Sequence, residues 1–176
     1  MVVLVLFTLV MARMRNFDSG KGEELLQALN QMPEKVKEIL DQKDSIAVIA
    51  RKYAKYNHFF YIGRNYMYPA ALEGALKLKE SSYINANAYP GGELKHGPMA
   101  LINAECPTIA LCANDRTREK IMSNLMEIKA REGSVIAITD VRSSDLEKKI
   151  DDVIYIPKTL PPLAVILSTV ATQLIA

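Results

Sequence analysis

The chain is predicted to be an α/β protein with a parallel sheet covered by helices on both faces, and three features carry that expectation. Apolar runs of five to seven residues, HFFYIG, PTIALCA, SVIAITD and VIYIP, recur along the chain. They are continuous rather than alternating, as strands buried on both faces are. Segments with three-and-four helical spacing separate them, and the connections are short. At 176 residues the chain can bury roughly 70% of its unfolded surface in one core, without disulfides or metals.

The elements follow in order. MVVLVLFTLVMA has 12 residues, short of the roughly 20 that span a bilayer, and it lacks the basic lead of a signal peptide. It reads as a helix running into Arg13, Met14 and Arg15, whose charge suits a helix C-terminus. A chain that begins inside an apolar helix is expected to be cut from something longer. LAVILSTVATQLIA, opened by Pro161 and Pro162, ends the chain in the same way. After a turn over 18–22, EELLQALNQMPEKVKEIL sets Leu25, Leu26, Leu29, Met32, Val36, Ile39 and Leu40 at helical spacing, with Pro33 dividing or kinking it. A helix over 45–56 leads into the strand HFFYIG, and another follows over about 69–84. Next come the loop Tyr89-Pro90-Gly91-Gly92, a short helix over 93–97 and the strand PTIALCA. REKIMSNLMEIKARE is a helix that Gly133 is expected to stop as a C′ glycine. SVIAITD, a polar helical turn near Asp145 and VIYIP complete the pattern. A fifth strand is expected at 86–89 or at 101–104.

Composition excludes several classes of function. Twenty-two Lys and Arg against 20 Asp and Glu leave a net charge of +2, too little to suggest nucleic acid as a partner. Cys106 and Cys112 fit neither a disulfide framework nor a zinc spacing, so they read as reduced core thiols of a cytoplasmic protein. No HExxH, P-loop or GxSxG pattern occurs, and no metal, cofactor or membrane role is expected.

The residues with chemical promise lie between Gly63 and His96. In PAALEGALKLKESSY, Glu73, Lys77 and Glu80 fall at i, i+4 and i+7, which places a lysine between two carboxylates on one stripe. Such a stripe also describes an ordinary solvated helix face. Ala70, Ala71, Gly74 and Ala75 favour the other reading, because small residues allow close packing and so could confine the charges to a cleft. A carboxylate held ionised there is ready to take a proton. His96 sits in GGELKHGP, where glycines and a proline restrict the loop. His58 reads as a structural histidine, and Gly63-Arg64-Asn65 is too weak a phosphate cradle to receive a ligand.

ALEGALKLKE and GELKHGP, together with the stretch from Tyr61 to Asn103, resemble the second sugar isomerase (SIS) subdomain of the glucosamine-6-phosphate synthase family, whose fold is a flavodoxin-like three-layer sheet. The resemblance implies that 1–20 end a preceding SIS subdomain and that 21–176 form the second one, without the family's C-terminal tail. It also implies a parent enzyme with a glutaminase domain and two SIS subdomains, which makes glucosamine 6-phosphate from fructose 6-phosphate and glutamine. Glu80 matches the carboxylate that moves a proton between C1 and C2, and Lys77 the lysine that supports it. His96 matches the histidine that assists ring opening across a homodimer interface. Glu73 matches a position that supports Lys77. The first subdomain's phosphate cradle and the tail's Schiff-base lysine lie outside this sequence, so the chain is expected to be silent alone. The alternatives are a non-catalytic SIS module that binds a phosphosugar as a regulator and, less well supported, a stand-alone phosphosugar isomerase.

Overall fold

A computed structural model describes residues 1–15, 17–113 and 115–176. Among these, five parallel strands form one sheet in the order β2-β1-β3-β4-β5: β1 (His58–Gly63), β2 (Asn85–Pro90), β3 (Thr108–Leu111), β4 (Val135–Thr139) and β5 (Asp152–Tyr155). The register sets His58 beside Asn85, Phe60 beside Thr108, Thr108 beside Val135 and Ile136 beside Asp152. The chain thus builds outward from β1 in both directions.

Successive residues of the continuous apolar runs serve different layers, because side chains alternate across a strand. Tyr61, Ile109, Leu111, Ile136 and Ile138 meet the helices on one face, while Phe60, Ile62, Ala110, Cys112 and Ala137 enter a second core on the other. The first face is covered by α3 (Met32–Leu40), α4 (Lys43–Tyr53), α5 (Met67–Ser82) and α8 (Pro161–Ile175), and α6 (Arg118–Lys129) and α7 (Ser144–Lys149) contribute Ile121, Leu125, Ile128 and Leu146 to the other. Helix α8 is apolar almost all round, and Leu163, Leu167 and Ala171 are fully buried in it.

The division at Pro33 is real: α2 (Ser19–Asn30) ends before α3 opens with that proline in its first turn, where the missing N–H costs nothing. Asp18 caps α2 by accepting from the Lys21 amide at 3.1 Å. The first helix, α1 (Val2–Arg13), forms as expected, but within this chain Leu9 is its buried residue, and Val3, Leu4 and Phe7 remain exposed. No helix among the described residues is long and apolar enough to cross a membrane.

Of the two places expected for the fifth strand the first is right, and two further local expectations are corrected. The fifth strand is at Asn85–Pro90; the 101–104 alternative fails because Leu101 closes a 3-10 turn (Pro98–Leu101). The short helix over 93–97 is a series of turns, since Gly97 at φ 136° reverses the chain before Pro98. Gly133 is not a left-handed cap. Glu132 takes the positive φ, at 63°, and Gly133 is glycine for want of space, because a Cβ there would lie 2.7 Å from Ile128 Cγ2 and 2.8 Å from Ile102 Cγ2.

Candidate functional site

Helix α5 carries three of the four candidate residues, and its packing explains their placement. Its inner face is made of Ala70, Ala71, Gly74, Ala75 and Leu78, small enough to bring the helix axis close to the sheet and to α8. Gly74 marks the closest approach: a Cβ there would sit 2.7 Å from Tyr61 Cε1 and 2.9 Å from Thr172 Cβ. With that face committed inward, Glu73, Lys77 and Glu80 project outward. The helix stops at Tyr83, which adopts the left-handed conformation at φ 61° and donates its amide to the Lys79 carbonyl.

The stripe is a connected set of charges. Lys77 Nζ donates to Glu80 Oε2 at 2.6 Å and approaches Glu73 Oε1 at 3.8 Å. The hydrogen bond to Glu80 and then the attraction of that carboxylate raise the Lys77 ammonium above its ordinary range; desolvation opposes them, and the pull of Glu73 adds least. Lys77 therefore stays cationic at any physiological pH. The expected cleft is not formed within one chain: the side chains of Glu73 and Lys77 are each 36% exposed and that of Glu80 is 54% exposed. Leu72 and Leu76 beside them are exposed as well. The small residues did secure close packing, but α8 and the sheet occupy only the inner side.

His96 is elsewhere. Helix α5 runs antiparallel to β1, so its last turn returns to the N-terminal edge of the sheet, where β2 begins at Asn85 opposite His58. β2 then carries the chain to the carboxyl edge, and His96 follows six residues beyond Pro90. Glu80 and His96 of one copy therefore lie toward opposite edges of the sheet. The carboxyl-edge rule for open α/β sheets holds for His96 and not for the stripe. His96 is exposed, while Leu94, two residues earlier, is fully buried.

Several cavities flank these elements, among them one of about 630 Å³ beside the His96 loop, lined by Lys95, Gly97, Met99 and Glu127. At the amino edge, about 450 Å³ is lined by Phe59, Leu78, Ile84, Ile109 and Ile175, with Arg51 among its polar members. The stripe residues are not part of that lining. Ser81 Oγ, next to Glu80, donates to the Lys77 carbonyl at 2.7 Å and lies 3.3 Å from the Ala176 carbonyl, which sets the end of α8 beside the stripe. At the carboxyl edge, about 260 Å³ is enclosed by Arg64, Gly91, Lys95, Lys120, Asn124 and Glu127.

Sequence reasoning weighed Arg64 only as part of a weak phosphate cradle and passed over Asn124. Arg64 Nε and Nη2 donate to Asn124 Oδ1 at 3.1 and 3.0 Å, and Nη2 also donates to the Gly91 carbonyl at 2.9 Å. The signal available was Asn124 itself, a buried polar residue on the face of α6 that otherwise holds Ile121, Leu125 and Ile128. Its partner, 60 residues away, leaves no local trace.

Residues 52–176 match the SIS domain family. The sequence is 42% identical over 175 residues to the glutamine–fructose-6-phosphate aminotransferase (isomerizing) of Bacteroides thetaiotaomicron, covering 99% of this chain and 28% of that protein. The enzyme of the same name from Chlorobaculum tepidum is 43% identical over 176 residues, 99% of this chain and 29% of its own length. The chain thus spans less than a third of these relatives. Among solved structures, the C-terminal domain of glucosamine-fructose-6-phosphate aminotransferase from Francisella tularensis superimposes with a TM-score of 0.90 at 34% identity, over 98% of this chain and 49% of that one.

Proposed function

The chain belongs to the SIS domain family, and from that premise we propose that it is the second sugar isomerase subdomain of a glutamine–fructose-6-phosphate aminotransferase. The parent enzyme makes glucosamine 6-phosphate from fructose 6-phosphate and glutamine, in the cytoplasm. The observation that carries the reading is the Lys77–Glu80 contact of 2.6 Å, flanked by Glu73, on the helix whose sequence bears the family's motif.

The chemistry asks for this pair. After ammonia has replaced the C2 oxygen as an imine, a base takes a proton from C1 as the imine nitrogen gains one, giving an enaminol; a proton is then returned to C2 as the O1 hydroxyl loses its own, leaving an aldehyde at C1 and an amine at C2. Glu80 is the base: its carboxylate is held in place by the 2.6 Å contact with Lys77, and half of the side chain is open to a substrate. Lys77 offsets the negative charge that develops on the sugar between the two proton transfers, and Glu73 holds Lys77 from the other side. His96 assists opening of the sugar ring. Its position at the opposite edge of the sheet from Glu80 favours a homodimer in which each copy lends its histidine to the other's site. The apolar side chains exposed on α1 favour burial against further protein, the first SIS subdomain and the glutaminase domain of the parent chain being the partners we assign.

The test is Glu80→Gln in the complete aminotransferase that carries this segment. Glucosamine 6-phosphate formation is expected to fall by about a hundredfold or more, the usual contribution of a positioned base, with fructose 6-phosphate still bound. The 176-residue chain alone is expected to give no product from fructose 6-phosphate and ammonia. Wild-type turnover in the Glu80→Gln enzyme refutes the assignment.

A further inference from the structure

A histidine that serves another molecule's sugar receives its orientation from its own chain alone. The loop that bears His96 is tied down in a way the motif does not reveal. Where β2 ends, the Gly91 amide donates to the Gly63 carbonyl at 2.9 Å, continuing the ladder by one bond. The Gly91 carbonyl then accepts from Arg64, whose fork is fixed by two bonds to the single oxygen of Asn124, a residue only 3% exposed. The fit is close: a Cβ on Gly91 would lie 2.8 Å from Asn124 Oδ1 and 3.0 Å from Arg64 Nε, so any side chain there would push the clamp aside. One turn further along α6, Glu127 Oε1 pairs with Lys95 Nζ at 2.9 Å, immediately before the histidine. Leu94 is fully buried between these ties, and the Met99 amide donates to its carbonyl at 2.8 Å. Residues 91–95 are thus bound to β1 and α6, and His96 is exposed at the point where they end.

We infer that Arg64 and Asn124 are positioning residues for His96: their clamp on the Gly91 carbonyl joins the loop to the rigid α6 and fixes the direction in which the imidazole is presented. The inference rests on the assignment of His96 to the isomerase reaction. It adds two residues that touch no substrate and act through the loop. A side chain held in this way loses little freedom on reaching its target, which lowers the entropic cost of the reactive geometry.

Amide hydrogen exchange on the 176-residue chain tests the clamp without reference to activity. Asn124→Ala is expected to speed exchange at Gly91, Glu93 and Met99 by about ten-fold or more, as local opening does, with the β4 amides unchanged. Asn124→Asp keeps the acceptor and is expected to restore protection. Arg64→Lys keeps the charge, loses the fork and is expected to loosen the loop as Asn124→Ala does. In the complete aminotransferase, Asn124→Ala is expected to lower kcat by about ten-fold with KM for fructose 6-phosphate unchanged, and Asn124→Asp to recover it. Unaltered loop exchange in both Asn124→Ala and Arg64→Lys overturns the clamp. A loosened loop with undiminished kcat overturns its role in presenting His96, and in that case the Glu80→Gln result still decides the proposed function separately.

Discussion

Replacing Gly74 with alanine sets two effects of opposite sign against each other. In an open helix the exchange stabilises by about 1 kcal/mol through backbone entropy alone. Here the new methyl group would lie 2.7 Å from Tyr61 Cε1, 2.9 Å from Thr172 Cβ and 3.0 Å from Thr172 Cγ2. Neither neighbour can swing aside, since both are fully buried, one in the interior strand β1 and the other in α8. Overpacking of a full core costs about 1–3 kcal/mol, and three simultaneous contacts place this site at the upper end. The net expectation is a loss of about 1–2 kcal/mol, or a fall in Tm of roughly 2–8 °C for a domain of this length. Differential scanning calorimetry measures it directly. Thr172→Ser removes Cγ2 and keeps the hydroxyl that donates to the Thr169 carbonyl at 2.8 Å, so the double variant is expected to recover part of the loss. A Tm that stays level or rises in Gly74→Ala refutes the close seating of α5 on α8.

Alkaline pH is expected to destabilise the fold. Burial pushes the Cys112 thiol from 9.0 up to about 12, and burial likewise raises the Tyr61 phenol. The unfolded chain releases these protons at lower pH than the folded one, so stability is intact below pH 9 and falls as pH rises toward 12, by up to about 1.4 kcal/mol per pH unit for each group. Urea midpoints at pH 8 and 10.5 read the effect, and equal midpoints would contradict it. Asp151 accepts the Val135 amide at 2.7 Å and the Lys129 ammonium at 2.8 Å, which joins the start of β4 to the end of α6. Asp151→Ala leaves that amide unpaired and is expected to cost about 1–3 kcal/mol. Asp151→Asn, which retains an acceptor, should recover most of it in the same urea titration.

The sheet was legible where its strands are continuous and apolar, as in HFFYIG and SVIAITD. It was ambiguous at β2, because NANAYP is an edge strand of small and polar residues that need no second buried face. Gly133 was misread because a glycine after a helix usually supplies a positive φ, whereas here Ile102 and Ile128 leave no room for a side chain. The stripe of Glu73, Lys77 and Glu80 followed from helical spacing alone. That it stands at the amino edge did not follow, because the direction of α5 is fixed by the return to β2, a matter of topology. The tie between Arg64 and Asn124 is non-local, and only the odd polar residue on the buried face of α6 hinted at it.

Helix α8 reaches its place against α3, α4 and α5 after every strand has been made. On a ribosome adding about 5–20 residues per second, the interval between Ser82 and Pro161 amounts to roughly 4–16 s. Throughout it the alanine-lined flank of α5 lies bare. A nascent chain in that condition is open to chaperones and to aggregation, and docking of the final helix ends the exposure.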